Sequence, residues 1–574
     1  MPLRLQPSPF TSAPDPATLS PSGPYRAFKH FGLGVLCAAW VFLGLVGHDP
    51  WKTEDATTFG VTWDMMRGGP VLAPTLLGEP YVDRPPLVYA LATLTGNLFS
   101  RWLAPHDAAR LSVALLMMAT LVLVSLTTRE LAGRSVRWLP VLIFIGSIGL
   151  WDRSHQLSPE AGLLTGLAIA LYGHALAVRK PLAGGITVGA GAGFAFLAHG
   201  FAGPLWILTT TLLLPLLSVR WRTRAYASAL AWAVLAGLVS IGLWPALLAA
   251  FAPRHLALWW DKQTLASFVA VLSPTSDADP SYILKNLPWF TWPASPLVVW
   301  TLWTRRRGFN GGLGTPAVIV PGAMSLAILL WLVVMPEPRA TDLMMIILPL
   351  SVLGALEVDT LTRGFSGALD WFGILTFGLL GALAWWTWWD AYMYGMSLPI
   401  ARALRDTTIG YQPSFHGRAV LVCVFLTAMW LALVRPARRS NRRAILNWAA
   451  GTTLIWAMFT TIWLPYLDSR RSYRIVAEEA ALHLPKVGCV ASRNLGEPQA
   501  ALFYYFAGVR TEREEVRINQ ECDTLLVQYA RSDVDTPGEP GWTRVWEGRR
   551  RGDETERYVI YRRDAQGSAA EKPR

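Results

Sequence analysis

Apolar stretches of about 20 residues, the length that crosses the hydrocarbon core of a bilayer, recur along this chain from residue 29 to residue 464. That recurrence makes the chain a polytopic helical membrane protein. The totals agree: 52% of the 574 residues are hydrophobic and only 16% charged. A formal charge of +12 would point to an anionic partner in a soluble protein. Here Lys and Arg gather in short loops between apolar stretches, where they set topology, and nucleic acid is excluded as a partner on that ground.

The stretches predict spans near 29–47, 108–128, 138–151, 160–178, 182–200, 201–218, 226–250, 283–303, 315–335, 341–357, 370–390, 417–435 and 444–464. The segment 86–99 has fourteen residues, more typical of an interfacial or re-entrant segment than of a span. If it does not cross, the clusters Arg129/Arg134/Arg137, Arg179/Lys180, Arg220/Arg222/Arg224, Arg305/Arg306/Arg307 and Arg435/Arg438/Arg439/Arg442/Arg443 all fall on the cytoplasmic side. The reading is therefore thirteen spans, with the N-terminus inside. The loops 48–107 and 152–159, the segment 251–282, the turn at Pro336–Arg339 and everything after residue 465 then share the outer face.

Residues 1–28 are rich in Pro, Ser and Thr and read as a disordered cytoplasmic tail. The first span lacks a cleavage site and reads as retained. Residues 466–574 are more charged, with helical patterns at Ser472–Leu484 and Glu497–Val509. Strand patterns fall at Gly488–Ser492, Thr524–Tyr529, Thr543–Trp546 and Tyr558–Tyr561. They predict a small extracytoplasmic α/β domain. Cys489 and Cys522 each adjoin a predicted strand in a compartment that permits disulfides, although two cysteines alone do not specify a bond. Cys37 and Cys423 read as core residues of spans.

The loop 48–107 concentrates charge next to apolar surface. Thr53 can cap a helix whose first turn holds Glu54 and Asp55. Ala56, Phe59, Trp63 and Met66 give that helix an apolar face for the membrane surface. Carboxylates there favour a helix N-terminus in any case. The loop ends in Tyr81-Val-Asp83-Arg84-Pro85-Pro86-Leu87, a guanidinium set beside an interfacial segment. Arg84 can snorkel to head groups or grip a phosphate by two hydrogen bonds. A carboxylate base with a phosphate-binding cation is what transfer from a phosphate-linked donor needs.

These residues resemble those of the GT-C membrane glycosyltransferases, and within them the lipid A aminoarabinose transferases and their protein-mannosyltransferase-like relatives. The family's Trp-x-x-Asp-Glu-x-x-Tyr is similar to Trp51-Lys-Thr-Glu54-Asp55-Ala-Thr-Thr58, and its Tyr-Phe-Glu-Lys-Pro-Pro-Leu to the segment from Tyr81 to Leu87. A third acid on the second outer loop is matched by Glu160, and Ala-Phe-Leu-Thr-Lys-Gly by Ala195-Phe-Leu-Ala-His199-Gly200. The acidic order is reversed, so by position Glu54 takes the catalytic place and Asp55 is second choice. Thr57 and Thr58 stand where the family has Arg and Tyr, Arg84 replaces Lys, and His199 replaces Lys.

The resemblance implies an all-α GT-C membrane domain over 29–465 and a periplasmic domain over 466–574 of a bacterial inner-membrane protein. It implies transfer of one sugar from a polyprenyl-phosphate carrier to a lipid A, glycan or protein acceptor, with inversion. Glu54 or Asp55 would activate the acceptor, with Glu160 nearby. Arg84 would hold the carrier phosphate, helped by Asp83, Tyr81, His199 and Arg339. No metal is expected, since Asp152 and His155 are too few ligands, and no nucleotide motif appears. Arg254 to Lys262 reads as an interfacial aromatic belt or a flap over the donor. The rival is a transporter or flippase of lipid-linked sugars, but no internal repeat is evident, and the ionisable residues gather at one face.

Overall fold

A computed structural model describes residues 23–262, 280–334, 341–399, 402, 411, 413–435, 440–515, 522–530, 541–551, 553 and 555–564. Among the described residues, seven helices are long and apolar enough to cross a membrane, or eight if the pair Asn441–Phe459 and Leu464–Arg471, bent by 62°, is one span. Four shorter apolar helices accompany them: Phe31–Phe42, Leu87–Phe99, Ala202–Leu217 and Met344–Ala355. Most predicted spans coincide with helices to within a few residues. The stretch 138–151 forms only Leu139–Ile145 before two 3-10 turns, and 283–303 is split into Pro280–Phe290 and Ala294–Arg306 at Pro293. Length and composition alone therefore do not return thirteen. The first helix, Gly23–Phe42, begins inside the stretch expected to be a tail.

Helices Arg224–Phe251, Arg363–Tyr394 and Gly417–Val434 are apolar yet mostly exposed, with Leu238 at 67%, Leu379 at 72% and Leu421 at 71%. Water would not tolerate such surfaces; lipid does. The loops that the Arg clusters assign to one side also meet at one end of the bundle. Arg179 Nη2 donates to Glu130 Oε1 at 2.7 Å, and Arg442 Nη1 to the Ser135 carbonyl at 2.8 Å and Nε to Asp359 at 2.7 Å. The buried pair Arg305 and Glu357, with Arg305 Nε 2.6 Å from Glu357, is joined there by the exposed Asn310.

Small residues set the tightest packing. Helices Pro159–Ala177 and Pro181–His199 form a hairpin in which Gly184 opposes Ala177, Gly191 opposes Ala170 and Gly162 opposes Ala198. On the other side of the second helix, Gly185, Gly189 and Gly193, one every four residues, meet Ala229, Ala233 and Ser240 of Arg224–Phe251. Such spacing lets backbones approach where no hydrophobic driving force operates between helices. The hairpin brings Glu160, at the start of one helix, beside His199, at the end of the other.

The C-terminal domain is a five-stranded sheet of β3 (Val490–Arg493), β4 (Thr511–Arg513), β5 (Thr524–Ala530), β6 (Trp542–Gly548) and β7 (Glu556–Arg563), in the order β4-β3-β5-β7-β6. β3 is parallel to β4 and β5; β7 is antiparallel to β5 and β6. Val490 pairs with Thr524, which brings the preceding Cys489 and Cys522 together, and they form a disulfide.

Helix Glu497–Ala507 packs on helix Glu54–Met66, where a Cβ on Gly60 would lie 2.5 Å from that of Ala501. This corrects two expectations. The helix Glu54–Met66 does not rest its apolar face on the membrane surface, because the C-terminal domain covers it and Ala56 joins that domain's core. Thr53 makes no side-chain cap. An added methyl on Gly189 would meet the Ala233 carbonyl at 2.5 Å, whereas nothing lies within 4 Å of Gly242. We expect Gly189→Val to cost about 1–3 kcal/mol and lower the melting temperature of the purified protein in detergent. Gly242→Ala should leave it unchanged.

Candidate active site

An α-helix turns about 100° per residue, so the adjacent acids Glu54 and Asp55 face different surroundings. Asp55 points inward and is 1% exposed. Arg110, from helix Pro105–Ala132 and equally buried, grips it with two bonds: Nη2 to Oδ2 at 2.7 Å and Nε to Oδ1 at 3.2 Å. The Trp51 and Leu157 amides also donate to the carboxylate, each at 3.0 Å. The remaining Arg110 donors reach the His48 and Asp49 carbonyls, both at 2.9 Å, and Asp107 at 3.0 Å. Burial alone would raise the Asp55 carboxyl, but Arg110 holds it below the usual carboxylate range. Asp55 is thereby saturated and does not line the cavity that Glu54 lines.

That cavity, of about 760 Å³, is lined by Lys52, Thr53, Glu54 and Thr57 from the start of the helix, and by Tyr81, Asp83 and Arg84 from the end of the same loop. Asp152, Arg153, Gln156, Lys262, Thr341 and Glu497 complete its charged and polar lining. The loop closes on itself through a hairpin of β1 (Thr75–Leu76) and β2 (Glu79–Pro80), turning at Leu77 and Gly78, both with positive φ. Asp64 fastens that hairpin to the helix by accepting from the Gly78 amide at 2.9 Å and from Thr75 Oγ1 at 3.1 Å. The chain after β2 then runs back, and Arg84 comes to share a cavity with Glu54.

Arg84 is half-buried, its Nη1 3.4 Å from the Asp83 carbonyl. Burial works against its charge, but Glu160 and the neighbouring tyrosines hold it cationic. Asp83 pairs with Lys262, just beyond helix Pro253–Trp260. Burial, reinforced by Asp83, pushes the Tyr81 phenol up, so it stays a hydrogen-bond donor. Arg153 lies over the Phe290 ring at 5.3 Å. Among the described residues, neither Arg84 nor Arg153 pairs with a carboxylate.

Glu160 and His199 are buried and do not line the cavity; His199 Nε2 stands 3.6 Å from Glu160 Oε1. Glu160 Oε2 and His199 Nδ1 have no hydrogen-bond partner among the described residues. Arg339 lies outside the described residues. His155 is fully engaged with the carbonyls of Trp40 and Trp151, at 2.6 and 2.7 Å. The aromatic belt expected at 254–262 is in part a buried cluster, because Trp259 packs at 5.1 Å from Trp244 and 6.0 Å from Phe196.

The chain aligns over 96% of its length, and 99% of the other chain, with the crystal structure of ArnT from Cupriavidus metallidurans bound to undecaprenyl phosphate, at a TM-score of 0.69 and 14% identity. The same protein in the apo state aligns over 94% and 98%, at 0.67 and 15%. The chain has the fold of ArnT. No family model and no curated protein sequence matches it.

Within this fold, sequence reasoning missed Arg110, Lys52 and Glu497. Arg110 carries the one legible signal, a guanidinium inside an apolar helix. Removing one partner of a buried pair leaves an uncompensated charge. Arg110→Met should therefore destabilise the protein by about 3–5 kcal/mol, and Arg110→Met/Asp55→Leu by less, read as melting temperatures. Because the folded Asp55 carboxyl sits below its unfolded value, its contribution is full above the unfolded pKa and lost as pH falls through the folded one. Thermal stability should fall more steeply on acidification below about pH 4 in the wild type than in Asp55→Asn.

Proposed function

We propose that this protein is a glycosyltransferase that moves a single sugar from a polyprenyl-phosphate carrier to a lipid A, glycan or protein acceptor at the periplasmic face of the inner membrane. The observation that carries this reading is the shared cavity of Glu54 and Arg84 in a fold whose neighbour ArnT binds undecaprenyl phosphate. A carboxylate and a guanidinium that pairs with no carboxylate among the described residues, both in one pocket, match the two charges that such a transfer must handle.

In this mechanism Glu54 is the base. The acceptor hydroxyl oxygen forms a bond to the anomeric carbon from the side opposite the carrier, and its proton passes to the Glu54 carboxylate. The bond from the anomeric carbon to the phosphate oxygen breaks, and its electron pair leaves with polyprenyl phosphate. Arg84 meets the charge that grows on that phosphate, with Arg153 as a second guanidinium in the same cavity. Attack from the opposite side inverts the anomeric carbon.

The saturation of Asp55 by Arg110 favours Glu54 over Asp55 as the base and gives Asp55 the work of holding the helix that presents it. Asp83, tied to Lys262, and the Tyr81 phenol are placed to hydrogen-bond the sugar. Glu160 acts behind Arg84, its charge favouring the cationic guanidinium, and His199 acts on Glu160 rather than on the acceptor.

Purified protein incubated with polyprenyl-phosphate sugars should release free polyprenyl phosphate, which a transporter would not do. Glu54→Gln should lower the rate by about 10²–10⁴ without changing the melting temperature, and Arg84→Ala should weaken donor binding as well. A folded Glu54→Gln protein with full transfer activity would remove Glu54 from the reaction.

A further inference from the structure

Lys52 is the cation of the cavity nearest in sequence to Glu54, and its partner comes from the outer domain. Its ammonium pairs with Glu556 Oε1 at the start of β7. Glu556 is 9% exposed and accepts from three further donors: Tyr473 Oη at 2.8 Å, Tyr558 Oη at 2.6 Å and Gln499 Nε2 at 3.1 Å. Both tyrosines are fully buried in the outer domain's core. Burial would raise the Glu556 carboxyl, but Lys52 and the tyrosines hold it low, so it stays an anion. A buried anion with donors on every side is costly to leave partly satisfied, and of its four donors among the described residues Lys52 alone lies outside the outer domain. The side chain of Lys52 remains 39% exposed and lines the cavity.

From this geometry we infer that Glu556 is a positioning residue of the outer domain that acts through Lys52. It cancels the Lys52 charge and fixes the segment that leads into Glu54. Among the described residues, the cavity's cations without a carboxylate partner are then Arg84 and Arg153, and Glu54 is spared an ammonium two residues away. Without the Glu556 charge, Lys52 turns to the phosphate and to the carboxylates that share the cavity, Glu54 nearest in sequence among them. The phosphate is held more tightly, and the carboxylate is a poorer base. The outer domain thereby sets the charge of a reaction site that lies mostly on the membrane domain. The inference rests on the reading of this cavity as the phosphate-handling site.

The test uses the full-length protein in detergent, farnesyl phosphate as the binding probe and acylation of Lys52 mapped by mass spectrometry. In Glu556→Gln, Lys52 should acylate faster, farnesyl phosphate should bind about fivefold more tightly, and transfer should show a lower kcat together with a lower KM for the donor. A purely structural role would raise KM or reduce the folded fraction instead. Lys52→Met/Glu556→Gln should lose the gain in affinity, which serves as the second reading if Glu556→Gln folds poorly. Unchanged affinity and acylation in Glu556→Gln would overturn the inference. Failure of the wild type to bind farnesyl phosphate at all would overturn the phosphate reading of the cavity, and this role with it.

Discussion

The buried pair of Asp55 and Arg110 is the contact on which the arrangement around it depends. Arg110 sits in a membrane-domain helix, Asp55 in the loop 48–107, and the Leu157 amide that also binds Asp55 belongs to the loop 152–159. One carboxylate therefore joins three separate stretches of chain at the end of the bundle. Taking both charges out of water is expensive, and the energy is recovered only because each is surrounded by donors or acceptors. Such a site tolerates little change, which suits a helix that must hold its neighbouring acid, Glu54, toward a cavity.

A second set of contacts locks the C-terminal domain onto that helix. The close approach of Gly60 and Ala501 leaves no room for a side chain between the two helices. Around it lie Asp49 with Arg474, at 3.0 Å through Nε, Asp64 with Arg510 at 3.3 Å, and Glu79 with Arg513 at 2.9 Å through Nε. In each, the acid belongs to the loop 48–107 and the arginine to the chain after residue 471. The loop is thus held on one side by Arg110 and on the other by the C-terminal domain. Glu497, whose carboxyl is raised by burial and then by Asp83, brings that domain into the cavity itself.

Much of this was legible because it is local. Apolar length reports a helix in lipid without reference to any other part of the chain, so most spans were placed to within a few residues. The residues from Tyr81 to Arg84 and Glu54 lie on one loop, and a hairpin between them suffices to unite them. What escaped notice was decided by distant partners. Adjacent Glu54 and Asp55 look alike in sequence, and only Arg110, 55 residues on, separates their roles. Lys52 looks like a solvated cation until Glu556 is placed beside it. The three residues of β4 are too few for an alternating pattern to register. The apolar face of Glu54–Met66 correctly announced burial, but the sequence could not say whether lipid or protein would cover it.

The account's central claim is that the two acids have divided their work, Asp55 holding the helix and Glu54 facing the phosphate. The most direct measurement is a structure of the full-length protein with a polyprenyl phosphate bound. The account predicts the phosphate within hydrogen-bond distance of Arg84, Glu54 lining the same cavity, and Asp55 still paired with Arg110. A phosphate bound away from Arg84, or Asp55 released from Arg110 to meet the ligand, would contradict it.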